Sequence, residues 1–118
     1  MIQSSETRVA MEMHRVARFA RYTSEKLTDV ANLMLHSYAR YVLPELSDDD
    51  ISYAMRSMGT SFYTESLAEH IYAIVPFMYK EKWNASEKAI YEKAKVEMAK
   101  IQELFVDEVS EIMELVEA

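Results

Sequence analysis

One glycine and two prolines punctuate the whole of this 118-residue chain. A sheet protein of this size needs turn residues at every reversal, because only Gly, Asn and their kin take the tight hairpin conformations without strain. With Gly59, Pro44 and Pro76 as the whole supply, the chain is expected to be all-α. The same three residues divide it. Pro44 ends one long stretch, Gly59 ends a short one, and Pro76 interrupts an apolar run. The expected domain is a single one over 1–118. It is a helical bundle with long first and last helices and two shorter helices between, at about 5–43, 48–58, 61–82 and 85–116.

Local signals support those bounds. Ser47 is a natural N-cap, and Asp48, Asp49 and Asp50 follow it at the positive end of the helix dipole. Gly59 suits a left-handed helix end. Pro76 lacks a donor and restricts Val75, so the helix is expected to kink or restart there. Asn84 and Glu87 have capping-box spacing.

In the first stretch Val9, Met13, Val16, Ala20, Thr23, Leu27, Val30 and Met34 recur at steps of 4, 3, 4, 3, 4, 3 and 4. That is a coiled-coil seam. It runs straight through Thr23 and Ser24, which favours one unbroken helix. Such a helix would be roughly 57 Å long, whereas a globule of this size is about 35 Å across. The excess length is expected to meet a second copy in a homodimer. Val9, Met13, Val16, Ala20, Leu27, Val30 and Met34 are the expected self-association residues. In the last helix Leu104, Val106, Met113 and Leu115 widen the apolar stripe to roughly 200°, enough to face more than one neighbour.

Charge is distributed unevenly. Residues 1–43 carry a net of +2 and residues 44–118 a net of -9, within a chain total of -7. Arg15, Arg18 and Arg21 lie in RVARFARY, on the side of the helix opposite the seam. Asp107, Glu108, Glu111, Glu114 and Glu117 crowd the C-terminal end, with no basic residue after Lys100. Aromatic side chains concentrate in the middle, with Tyr63 and Trp83 among them.

Much chemistry is excluded. Without cysteine there is no disulfide, thiol nucleophile or thiolate metal site. The three histidines lack the Glu-x-x-His spacing of di-iron bundles. No nucleophile elbow or glycine-rich phosphate loop is present. The expectation is therefore a non-enzyme with no cofactor and no bound metal. No apolar run has the length of a membrane span or the form of a signal peptide, so the expected location is the cytoplasm.

The leading functional expectation is protein–protein interaction by a small adaptor, regulator or inhibitor. Its expected partner contacts are Arg15, Arg18, Arg21, Tyr63 and Trp83. One alternative is an acidic inhibitor that occludes the basic groove of a nucleic-acid-binding protein. Another is a nucleic-acid binder acting through the Arg15, Arg18 and Arg21 face, which the net negative charge opposes.

Overall fold

The computed structural model describes the backbone of residues 4–20, 25–59 and 61–117, and their side chains except at 13–20, 25, 26, 61 and 117. Five helices account for almost all of it: α1 (Ser5–Ala20), α2 (Glu25–Val42), α3 (Asp48–Met58), α4 (Ser61–Ile74) and α5 (Ala85–Glu117). No strand occurs among the described residues.

The short-range signals are realised in detail. Ser47 Oγ accepts from the Asp50 amide at 3.1 Å, and Asp50 Oδ2 accepts from the Ser47 amide at 3.0 Å. Gly59 closes α3 at φ +66°, a conformation that a side chain would strain. The α5 start is held the same way. The Glu87 amide donates to Asn84 Oδ1 at 2.8 Å, and the Asn84 amide donates to Glu87 Oε1 at 3.0 Å. Lys80 Nζ then meets Glu87 at 2.9 Å. That contact holds the Glu87 carboxyl below its ordinary pKa, with help from the Asn84 amide.

α4 is shorter than the expected 61–82, ending at Ile74. Pro76 has no amide to continue the helix. Tight turns from Phe77 and Met78 back to the Ile74 carbonyl, at 3.2 and 3.0 Å, close it instead.

The largest correction concerns the first stretch, which is a hairpin and not one helix from 5 to 43. Ser5 Oγ hydrogen-bonds the Tyr38 hydroxyl. Arg8 Nη2 donates to Ser37 Oγ at 2.9 Å, and Ser37 Oγ donates to Glu12 Oε1 at 2.9 Å. The Arg8 guanidinium lies 4.9 Å from the centre of the Tyr41 ring. On a straight helix Ser5 and Tyr38 would stand about 50 Å apart. Folding back buries Val9 from the first half of the seam and Leu27, Val30 and Met34 from the second in one core. Thr23, a seam position, lies outside the described residues.

α5 is the spine. It is 33 residues long, and at about 1.5 Å per residue its length matches the longest dimension of the molecule, 51 Å. All four other helices pack against it. Its wide apolar stripe therefore faces several neighbours, with Met98, Phe105 and Val109 fully buried. Opposite them lie Leu35, Ile51, Leu67, Ile71 and Ile74, also fully buried.

Val9, Leu27, Val30 and Met34 are buried in this same core. These four expected self-association residues are covered by their own chain. Met13, Val16 and Ala20 are among the residues whose side chains are not described.

Gln102 is an unusual core residue, with no exposure at all. Its Nε2 donates to the Met34 carbonyl at 3.4 Å, while its Oε1 has no partner among the described residues. An unsatisfied buried acceptor costs about 1–3 kcal/mol.

Two expectations follow. Spin labels on Thr7→Cys and Arg40→Cys, in a chain otherwise free of cysteine, should lie far closer than the about 50 Å of a straight helix. A long distance by pulsed electron resonance would refute the hairpin. Gln102→Met keeps the shape and removes the orphan acceptor. It should raise unfolding stability by about 1 kcal/mol in a urea titration.

Candidate functional site

Tyr63 sits near the start of α4 and reaches the C-terminal half of α5. Its ring packs edge-on against Phe62 at 5.4 Å and Phe105 at 5.7 Å between centroids. Its hydroxyl donates to Glu108 Oε2. Burial pushes the Tyr63 pKa up to about 12, aided by the Glu108 hydrogen bond and the charges of Glu108 and Glu111. Tyr63 is therefore a strut between two helices.

Trp83 belongs to a different place. It contacts Phe77 at 5.3 Å and Tyr91 at 4.9 Å, beneath the turn that joins α4 to α5. Its Nε1 is buried and makes no hydrogen bond with the described residues. The α5 residues touched by Tyr63 and by Trp83 are separated by about 20–25 Å of helix. The two aromatic side chains expected to serve one partner are not brought together. Arg15 and Arg18 lie on α1, where side chains are not described, and Arg21 lies outside the described residues.

What surrounds Tyr63 was not apparent from sequence. Phe62 is 68% exposed, Leu104 58% and Leu115 77%. Leu104 and Leu115 were expected in the wide buried stripe. The structure buries Val106 and Met113 from that set and leaves the two leucines outside. Leu104, Glu108, Glu111 and Leu115 follow the i, i+4, i+7, i+11 spacing of one helix face. That face passes Tyr63 and, through it, Phe62.

A second row meets that face at Glu111. Asp107, Glu111 and Glu114 are exposed at i, i+4 and i+7. None forms an ion pair with a described residue, whereas acids elsewhere do: Glu92 with Lys95 at 3.0 Å, Glu97 with Lys100 at 3.4 Å, and Asp48 with Arg40 at 3.1 Å. The N-terminal half of α5 neutralises its own charge, and the C-terminal half does not. Glu103 accepts a hydrogen bond from Ser5 Oγ at 2.7 Å, and Glu108 accepts from Tyr63, so both already serve the fold.

Two open grooves lie among the described residues. One, of about 460 Å³, lies between α2 and α3, lined by Asp29, Asn32, Leu33, His36, Ser52 and Met55. The other, of about 340 Å³, lies between α2 and α4, with Glu65, Glu69 and Tyr72 on its α4 wall. The first holds Ser52 and His36 on its walls, and no hydrogen bond joins the two among the described residues. Among the described residues no group of three His, Cys, Asp or Glu is placed to hold a metal ion, and no helix is long and apolar enough to cross a membrane. No family model, curated protein or solved structure matches the chain.

The Tyr63 contact has a pH signature. Its phenol ionises above the ordinary value of 10, at about 12 in the folded chain. The contact's contribution to stability is present below pH 10 and is lost as pH rises from there through 12, because the unfolded chain gives up the proton first. In an ultraviolet tyrosinate titration Tyr63 should ionise late, a step removed by Tyr63→Phe. Glu108→Gln should return it toward 10. A Tyr63 phenol titrating at 10 in the native protein would refute the contact.

Proposed function

We propose that this chain is a non-enzymatic protein that binds a protein partner through a helical surface, as a small adaptor, regulator or inhibitor. The face formed by Phe62, Leu104 and Leu115 carries the reading. Exposed side chains of this size gain little in water, and each stabilises a complex by about 1.5–3 kcal/mol when fully covered. Phe62 packs on the Tyr63 strut, and Leu104 and Leu115 flank its Glu108 anchor four and seven residues away on α5, beside carboxylates that supply orientation. This differs from the contacts read from sequence: of the two described side chains in that set, Tyr63 supports the face from beneath and Trp83 lies elsewhere.

A homodimer remains part of the proposal only through a surface other than Val9, Leu27, Val30 and Met34, since those side chains are already covered. A second reading is the acidic inhibitor that fills the basic groove of a nucleic-acid-binding protein. The row of Asp107, Glu111 and Glu114 favours it, and it predicts that excess duplex DNA competes with the protein for such a target. Direct nucleic-acid binding through Arg15, Arg18 and Arg21 has the net charge of -7 against it.

The test compares variants and does not rest on capture alone. Leu104→Ser with Leu115→Ser alters only exposed side chains, so the circular dichroism spectrum and melting temperature should stay close to the parent's. The double variant should lose partners that the parent retains from a native lysate. Leu33→Ser, on the α2–α3 groove, should keep them. An unchanged partner set in the double variant would overturn this site.

A further inference from the structure

We infer that the occupant of the α5 face is a cationic amphipathic helix from another protein, laid along the outer side of α5 beside the start of α4. The inference rests on the docking role proposed above and specifies the partner's chemistry. Leu104 and Leu115 are three helical turns apart, about 16 Å. A second helix matches that spacing with apolar side chains three turns apart. The carboxylates of Asp107, Glu111 and Glu114 form a row that meets this face at Glu111, so a matching helix carries lysine or arginine at i, i+4 and i+7 beside its apolar stripe.

Electrostatics selects this occupant. Successive carboxylates of the row lie one turn apart, and like charges at that spacing destabilise a helix. Glu114 also stands in the last turn of α5, at the negative end of its dipole, which opposes it further. No described cation relieves either effect. A basic partner removes both penalties on binding, while exposed leucines give contact area that a purely ionic partner would not use.

The same charges argue against a second copy. A two-fold dimer through this face would set each carboxylate row near its twin, because such a contact uses the same patch on both chains. A head-to-tail contact with the arginines of residues 15–22 would join unlike patches, so it would not close as a dimer and would continue as a filament or ring.

The experiment uses the full chain and a fluorescein-labelled synthetic helix of about five turns, built from leucine and lysine with lysines at i, i+4 and i+7. Two controls accompany it: a scrambled peptide of the same composition without an apolar stripe, and the same helix with glutamate for lysine. Fluorescence anisotropy should show one peptide bound per chain, with affinity falling as salt rises. Leu104→Ser with Leu115→Ser should weaken binding about tenfold or more. Asp107→Asn, Glu111→Gln and Glu114→Gln together should weaken it and flatten the salt dependence.

Equal binding of the scrambled peptide, or no effect of the leucine changes, would reduce the face to simple charge attraction and overturn the inference. So would binding that Leu33→Ser abolishes, since the peptide would then lie in the α2–α3 groove. Light scattering that shows a dimer dissolved by the leucine changes would make a second copy the occupant, with the same consequence. If the basic helix fails to bind while lysate partners still depend on Leu104 and Leu115, the partner chemistry is wrong and the docking face stands. If those partners are also unaffected, both readings fall.

Discussion

Everything in this molecule depends on covering α5. A 33-residue helix with so wide an apolar stripe gains little stability from its own hydrogen bonds in water, and most of it comes from packing. Met98, Phe105 and Val109 are fully buried because four other helices are wrapped against them. The wrap explains why the first stretch folds back. A single long helix would have covered one side of α5 and left the rest of both stripes in water. Two shorter helices cover two sides, and α3 and α4 cover others.

The described N-terminal half of α1 makes polar contacts with its neighbours. Ser5 joins Tyr38 of α2 and Glu103 of α5, and Glu12 is buried while bound to Ser37 and lying 3.2 Å from Arg8. Such groups add little net stability when satisfied, but they are costly when parted. They set how α1 sits more than how strongly it holds. Val9 supplies a fully buried apolar anchor within the same contact. At the far side of α5 the Tyr63–Glu108 contact does similar work between α4 and α5, and there the polar strut lies beneath an exposed apolar face.

That face draws its character from an asymmetry along one helix. In its N-terminal half α5 sets lysines three residues from glutamates and closes the pairs itself. In its C-terminal half the lysines stop while the carboxylates continue. Loss of internal neutralisation coincides with the exposed leucines and with Phe62 of α4. Apolar area and unbalanced charge together distinguish this surface from the two open grooves around α2, where Arg40 pairs with the neighbouring Asp48 and the exposed apolar groups are more scattered.

The sequence by itself determined the all-α class and most of the helix ends. Those features rest on local chemistry: Ser47 with Asp50, Asn84 with Glu87, the positive φ open to Gly59, and the missing amide of Pro76 act within a few residues. Tertiary structure alone decided that the heptad run becomes a hairpin, because a seam of steps 4 and 3 reads the same whether its halves lie end to end or side by side. It also decided that Val106 and Met113 go inside while Leu104 and Leu115 stay out. Periodicity shows how wide an apolar stripe is, but the number and position of the helices around α5 fix which of its edges are covered.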